Sequence, residues 1–331
     1  MAGRRRKKSG GRSYAWRYRG RIVACVFVEI LIICALVIMI GWNKGVKEWF
    51  EQFEQPVLKE VDISGINSPN AILMQARGGK ILGEINGEAQ IYPASMTKIM
   101  TVILGIENFD DLDEKITLTN EMFSGLYEQD ATQAGFQPGE EVRVIDLLYG
   151  AMLPSGAECC IALADTISGS EADFAELMNK KARKLGMENT HFCDSTGLHN
   201  PDHYSTVKDI AVLMKYCIKN DTFREIVETS RHSTGVTNIH PDGITYYSTM
   251  FKNLSDPTVT GGKILGGKTG YTSEAGHCLV SFAEIEGREY IFVSAGASGA
   301  DGNTIPNIQD AVTVYNRVGA AIEEKMNDNN K

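Results

Sequence analysis

Hydrophobic and polar positions follow three different patterns along the chain, and the changes between them mark its parts. Ile22–Trp42 is an apolar run of 21 residues broken only by Glu29. At about 1.5 Å per residue, a helix of that length crosses a hydrocarbon core roughly 30 Å thick. Residues 43–60 are polar with scattered aromatics (Trp49, Phe50, Phe53) and then Pro56, and read as a stalk. A body starts near Val61. Its first apolar stretches, Ala71–Ala76 and Lys80–Asn86, flank Gly78-Gly79 and predict a hairpin. The period then lengthens. Met96–Glu107 carries Ile99, Met100, Ile103 and Leu104 at helical spacing.

Helical spacing continues to about residue 229. Val142–Leu153 predicts a helix that stops at Pro154. Ser155 is placed to cap a second one running to Ile167. Glu171–Leu185 predicts a third, ended by Gly186. Asp194–Tyr204 is rich in turn residues. Ser205–Asn220 predicts a fourth helix with Ser205 as its cap, and Asp221–Glu228 a short fifth. Strand character returns in 231–250, Ile264–Tyr271, His277–Glu286 and Glu289–Ala295, with Gly287 turning between the last two. Thr304–Glu324 predicts a closing helix; the body ends near residue 325, and 326–331 read as a disordered tail. Strands at both ends and helices between them predict an α+β fold. A mainly antiparallel sheet is built from the two chain ends, with a helical lobe inserted and a crevice between the lobes.

Charge sharpens the N-terminal reading. The formal net charge of −9 conceals nine Lys or Arg and no acid in residues 1–21, against 24 basic and 41 acidic residues in 43–331. Cations before an apolar run orient its N-terminus toward the cytoplasm. All three tryptophans (Trp16, Trp42, Trp49) flank the run, where interfacial anchors sit. Gly41-Trp42-Asn43-Lys44 offers no small-x-small cleavage site. The expectation is therefore a basic cytoplasmic segment (1–21) and an uncleaved signal anchor (22–42) in contact with membrane lipid. The body would lie outside the cytoplasmic membrane. Its acidity argues against a nucleic-acid partner. Five cysteines lie in the body (Cys159, Cys160, Cys193, Cys217, Cys278), an odd number that excludes a complete disulfide framework. Cys159 and Cys160 fall in an apolar helical pattern and read as small core residues.

Three short strings carry candidate chemistry. Ser95-Met96-Thr97-Lys98 puts a hydroxyl and an amine on one face of a helix start. A serine becomes a nucleophile when a base takes its proton, and a lysine serves when its surroundings favour the neutral amine. Ser-x-x-Lys arises by chance about once in a chain of this length. A second copy, Ser205-Thr206-Val207-Lys208, reads as a helix cap. Lys268-Thr269-Gly270 lies in a glycine-rich strand. Gly266 and Gly267 would admit another backbone there, and the ammonium and hydroxyl suit a carboxylate. A protective edge lysine is the alternative reading of that strand. Ser155-Gly156-Ala157 lies between them. The loop His199-Asn200-Pro201-Asp202-His203 holds two histidines, but Pro201 keeps them off a helix, and no His-Glu-x-x-His or Cys-x-x-Cys zinc pattern accompanies them.

In this order the strings resemble the Ser-x-x-Lys, Ser-x-Asn and Lys-Thr-Gly motifs of the penicillin-recognising serine transpeptidase and β-lactamase superfamily. Tyr92-Pro93-Ala94-Ser95-Met96-Thr97-Lys98, Ser195-Thr196-Gly197-Leu198, His203-Tyr204-Ser205-Thr206 and Gly267-Lys268-Thr269-Gly270-Tyr271-Thr272 narrow the likeness. They point to the serine D-Ala-D-Ala carboxypeptidases, the low-molecular-mass penicillin-binding proteins. The resemblance covers about residues 61–320. It implies Ser95 as the acylated nucleophile, Lys98 as its base and Ser155 as a proton shuttle at the leaving group. It also implies an oxyanion hole from the Ser95 and Tyr271 amides, with Lys268, Thr269 and Gly270 at the substrate carboxylate. The implied partners are a peptidoglycan stem peptide ending in D-Ala-D-Ala and β-lactam antibiotics, with no cofactor. One motif departs from the pattern. Ala157 stands where the family has Asn, and an alanine methyl can orient neither lysine nor substrate. Glu158 is adjacent, but a helical neighbour points about 100° away. Many relatives also carry a further domain and a C-terminal amphipathic anchor; here the N-terminal run would anchor instead. Three other readings stay open: a catalytically weak homologue that binds cell-wall peptide or a membrane partner, a class A-like β-lactamase, and a zinc peptidase. The β-lactamase would need a water-activating glutamate, for which Glu176 and Asn179 have the wrong spacing; the zinc peptidase lacks ligands.

Overall fold

A computed structural model describes residues 30–33, 58–299 and 305–329, in two units, 1–56 and 57–331. In the first unit, residues 30–33 are helical with exposed side chains. The basic segment, the rest of the 22–42 run and all but the last three residues of the 43–60 stalk lie outside the described residues. Among the described residues no helix is long and apolar enough to cross a membrane.

In the second unit, β1 (Asn70–Gln75) and β2 (Ile81–Ile85) form the expected hairpin. β3 (Lys115–Thr117) and β4 (Glu141–Arg143) pair apart from the main sheet, as do β5 (Arg231–Ser233) and β6 (Thr245–Tyr247). The C-terminal strands are β7 (Thr258–Val259), β8 (Gly262–Thr272), β9 (Gly276–Ile285) and β10 (Arg288–Ala297). The main sheet is antiparallel in the order β2-β1-β10-β9-β8-β7. The N-terminal and C-terminal strands of this unit thus meet at the β1–β10 pairing. Between β2 and β5 come α1 (Lys98–Asn108), α2 (Val144–Met152), α3 (Ala157–Ser168), α4 (Glu171–Leu185), α5 (Val207–Cys217) and α6 (Asp221–Glu228). A short α7 (Thr249–Asn253) precedes β7, and α8 (Pro306–Asn329) closes the chain.

Strand periodicity explains the layers. Side chains alternate faces along a strand. Ile72 and Met74 of β1, Val280 and Phe282 of β9 and Ile291 and Val293 of β10 join a core with the helical lobe. Their neighbours Leu73, Leu279, Tyr290 and Phe292 join a second core with Val314, Tyr315 and Val318 of α8. The sheet is buried on both faces, which is why its strands read as nearly continuous apolar runs.

Several boundaries differ from expectation, each for a local reason. The body begins before Val61, because Leu58 is already in the second core and its carbonyl accepts from Lys80 Nζ. The helix predicted from Val142 begins at Val144; residues 141–143 pair as β4 instead. Ser155 does not cap α3. Gly156 holds the cap position with no side-chain bond, and the Ser155 hydroxyl is used elsewhere. Ser205 does not cap α5 either: Thr206 Oγ1 accepts from the Asp209 amide, while Ser205 bonds Thr190. α5 ends at Cys217, so that Asn220 can cap α6. The expected tail is helical through Asn329, with Met326 still packed on the core.

Gly266 and Gly267 do admit a close backbone, and at both it is the protein's own: α6 at Gly266 and β9 at Gly267. A Cβ on Gly266 would lie 2.4 Å from the Val227 carbonyl oxygen at the end of α6. This contact seats the helical lobe on β8, the strand carrying Lys268. We expect Gly266→Ala to lower unfolding stability by about 1–3 kcal/mol, the usual cost of overpacking, as measured by urea denaturation. An unchanged midpoint would show that α6 does not rest on β8.

Candidate active site

Ser95 lies in a single 3₁₀ turn (Ala94–Thr97) that leads directly into α1. Ala94 takes a left-handed conformation, φ 47°, which a non-glycine residue adopts only at a cost. Ser95 is half-buried and Lys98 fully buried. Three residues of tight helix bring Lys98 Nζ to 3.1 Å from Ser95 Oγ. The same amine donates to the Thr196 carbonyl oxygen at 2.6 Å.

Ser155 approaches from the α2–α3 turn, also left-handed at φ 74°. Its Oγ accepts from Lys268 Nζ at 2.9 Å, and Lys268 also donates to the Thr269 carbonyl. Lys268 is not an exposed edge lysine, since only 1 % of it is accessible. Burial pushes its ammonium well below the usual lysine range, and the charge of Lys98 adds in the same direction. Thr269 Oγ1 bonds Thr249 Oγ1 of α7 at 2.7 Å. Gly270 lies against the turn that carries Ser95: a Cβ there would sit 3.0 Å from the Ser95 nitrogen. Tyr271 follows with its ring exposed and stacked obliquely on His277. β7 pairs with β8 only at Lys263 and Gly262, so among the described residues no strand covers the outer edge of β8 beyond them. The structure therefore gathers Ser95, Lys98, Ser155, Lys268, Thr269 and Gly270 into one crevice between sheet and helical lobe.

Ala157 is buried at the start of α3 and contributes no polar atom. Glu158 turns away, its Oε1 accepting from the Ala134 and Gly135 amides at 2.6 and 2.9 Å. Burial raises the Glu158 pKa, and its Oε2 has no partner among the described residues. Cys159 and Cys160 are buried free thiols; burial pushes Cys160 up to about 12. Glu176 is exposed on α4, and the Asn179 side chain is occupied by the Phe192 backbone. His199 meets the Tyr92 ring edge-on, while His203 is buried and bonded to protein groups. Among the described residues no group of three or more His, Cys, Asp or Glu is placed to hold a metal ion.

Sequence reasoning missed the loop behind Lys98. Asp194 Oδ1 accepts from the Thr196 amide, the Thr196 hydroxyl and the Gly197 amide, each at 2.7 Å. Asp194 Oδ2 faces His203 Nδ1 at 3.0 Å, and His203 Nε2 faces Thr97 Oγ1 at 2.9 Å. Burial alone would raise the Asp194 pKa. The bonds from His203, Thr196 and Gly197 outweigh it and hold the carboxyl at about 2. The signal was present in Asp194-Ser195-Thr196-Gly197, since Asp two residues ahead of a backbone amide is the signature of an Asx turn.

The family model for D-alanyl-D-alanine carboxypeptidase (peptidase S11) matches residues 57–299. The chain belongs to this family. It is 35 % identical over 231 residues to the D-alanyl-D-alanine carboxypeptidase DacF of Bacillus subtilis, covering 69 % of this chain and 57 % of that protein. It is 33 % identical over 262 residues to DacC of Escherichia coli, covering 72 % and 58 %. The chain thus spans less than two thirds of the length of these two relatives. A mutant of the Streptomyces K15 DD-transpeptidase superposes with a TM-score of 0.70 at 30 % identity, over 77 % of this chain and 98 % of that one. A D-alanyl-D-alanine carboxypeptidase from Mycobacterium tuberculosis shares the fold, with a TM-score of 0.69 at 21 % identity over 81 % and 96 %. The curled antiparallel sheet with its helical lobe is the fold of this group.

Asp194 gives a pH prediction. Its pKa is depressed on folding from 3.8 to about 2, so its contribution is complete above pH 4 and is lost as pH falls toward 2. That contribution is about 2 kcal/mol. Melting temperature should fall more steeply between pH 4 and pH 2 in the wild type than in Asp194→Asn. Parallel curves would refute the assignment.

Proposed function

We propose that the chain is a membrane-anchored serine D-Ala-D-Ala carboxypeptidase. It removes the terminal D-alanine from peptidoglycan stem peptides and is acylated by β-lactams. The observation that carries this reading is the meeting of two buried lysine–serine pairs, Lys98–Ser95 and Lys268–Ser155, beside the open edge of β8.

A peptide ending in D-Ala-D-Ala would lie along that edge as an added strand, its terminal carboxylate at Lys268 and Thr269. The carboxylate supplies the anion that buried Lys268 lacks, restoring its charged form. Ser95 Oγ attacks the carbonyl carbon of the penultimate residue as its proton passes to Lys98 Nζ. The Ser95 and Tyr271 amides receive the developing oxyanion. The C–N bond breaks, the leaving amine takes a proton through Ser155, and D-alanine departs. Water then hydrolyses the Ser95 ester. β-Lactams present a carboxylate beside a strained amide and would acylate Ser95 by the same route. Ala157 favours a second reading, a weak homologue that binds cell-wall peptide and turns over slowly.

The membrane part rests on sequence alone: 21 apolar residues preceded by nine cations and flanked by the three tryptophans. They support a single-pass anchor with the body outside the cytoplasmic membrane. After cell lysis the full-length chain should sediment with membranes and resist alkaline extraction, and recovery in the soluble fraction would refute the anchor.

The enzymatic reading predicts a benzylpenicillin mass adduct on Ser95 and D-alanine release from a D-Ala-D-Ala peptide. Ser95→Ala should abolish both, and Lys98→Ala should slow acylation by about a hundredfold or more. Adduct without release would favour the weak homologue, and rapid penicillin hydrolysis a β-lactamase. Neither adduct, release nor hydrolysis would overturn the enzymatic reading.

A further inference from the structure

Lys98 must present its amine to Ser95 along one direction. A lysine side chain has four rotatable bonds, and burial alone does not choose among its rotamers. Among the described residues two polar atoms contact Lys98 Nζ: Ser95 Oγ and the Thr196 carbonyl oxygen. The first is the reacting atom itself. The neighbouring residues at 157 and 158 supply nothing, because Ala157 has no polar side-chain atom and Glu158 is spent on the Ala134 and Gly135 amides. The direction of the amine therefore depends on where the Thr196 carbonyl stands.

That carbonyl belongs to a loop tied down on every side. Asp194 Oδ1 gathers three donors from Thr196 and Gly197 and fixes the turn. Gly197, at φ 80°, lets the loop press onto the nucleophile turn: a Cβ there would lie 1.9 Å from the Ala94 carbonyl oxygen and 2.8 Å from Thr97 Oγ1. The Ser195 carbonyl accepts from Thr101 of α1, and the Ser195 amide and hydroxyl both donate to Glu171 of α4. His203 completes the circuit, reaching Asp194 with one ring nitrogen and Thr97 with the other. A carboxylate accepts, so Nδ1 carries the proton, and Nε2 bonds the Thr97 hydroxyl from the other side of the ring. The Cys193 amide also points at Nδ1, at 3.3 Å; with a proton on that nitrogen, the shorter contact with Asp194 is the bond made. Thr97 sits between Ser95 and Lys98 in sequence. The circuit therefore begins and ends on the catalytic turn.

We propose that Asp194, His203 and Thr97 are positioning residues that aim the Thr196 carbonyl at Lys98 and so align its amine with Ser95. They do for this chain what no side chain at position 157 does. None of them touches substrate. The inference rests on the reading of Ser95 as the acylated nucleophile.

The test uses the full-length chain and benzylpenicillin, with the acylation rate constant and the dissociation constant of the initial complex measured separately. Thr97→Val keeps the volume and removes the hydroxyl; Thr97→Ser keeps the hydroxyl and removes a methyl. Thr97→Val should slow acylation by about tenfold to a hundredfold, the scale of a misplaced catalytic group, with initial binding unchanged. Thr97→Ser should restore the rate to within about threefold of the wild type. Asp194→Ala, which frees the loop from its other side, should slow acylation in the same way. Melting temperatures are taken for every protein. Equal rates for Thr97→Val and wild type overturn the proposal. So does a rate loss in Thr97→Ser as large as in Thr97→Val, or losses that follow melting temperature across the set. If Thr97→Val does not fold, the pair Thr97→Ser and Asp194→Ala decides by the same criteria. Absence of any Ser95 adduct in the wild type would instead refute the function on which this inference rests.

Discussion

Two lysine amines end in one buried crevice, and among the described residues no carboxylate bonds either of them. Lys98 meets the Ser95 hydroxyl and the Thr196 carbonyl; Lys268 meets the Ser155 hydroxyl and the Thr269 carbonyl. All four acceptors are neutral. Two ammonium ions held this way would suffer both desolvation and mutual repulsion. Burial and the charge of Lys98 therefore disfavour the ammonium form of Lys268 before any ligand arrives. A nearby carboxylate side chain would relieve that pressure, at the cost of occupying Lys268 before a ligand carboxylate could reach it.

Much of the architecture serves to keep neutral oxygens in place. The Thr196 carbonyl is held by the Asp194 turn, and the Ser155 hydroxyl by a left-handed residue between Pro154 and Gly156. Ala94 bends the chain into the turn that carries Ser95. The two left-handed non-glycine residues nearest the chemistry each cost on the order of 1–3 kcal/mol and persist because packing over-determines them. Asp194 is a carboxylate in the loop that presses on the Ser95 turn. Its charge is spent on backbone amides, a threonine hydroxyl and His203, one step removed from the amine.

The periodic features of the body were legible in the sequence. The β1–β2 hairpin, α4 with its closing Gly186, and the three long C-terminal strands follow from spacing and from glycine. So did the gathering of Ser95, Lys98, Ser155 and Lys268, because the motif strings stand in one order. What could not be read were bonds between residues far apart in sequence. Ser155 and Ser205 both looked like helix caps, since a serine before a helical run has that default use. Both hydroxyls were instead taken by distant partners, Lys268 and Thr190. The turn-rich segment Asp194–Tyr204 carried strings of the family resemblance, but turn composition says nothing about the burial of His203 or its bonds to Asp194 and Thr97. Gly266 signalled a close backbone approach without identifying α6 as the partner.

The sheet order has a consequence for assembly. β1 leaves the ribosome long before β10, its central partner, and the Ser95 turn long before β8, against which it packs. The helical lobe can collapse early from local contacts, while the sheet must wait for the last strands. A chain halted before residue 262 would hold Ser95 and Lys98 without the strand that carries Lys268 and packs against their turn. The order of synthesis thus acts as a safeguard: the surroundings of Ser95 take their shape only when the last strands of the second unit return to its first.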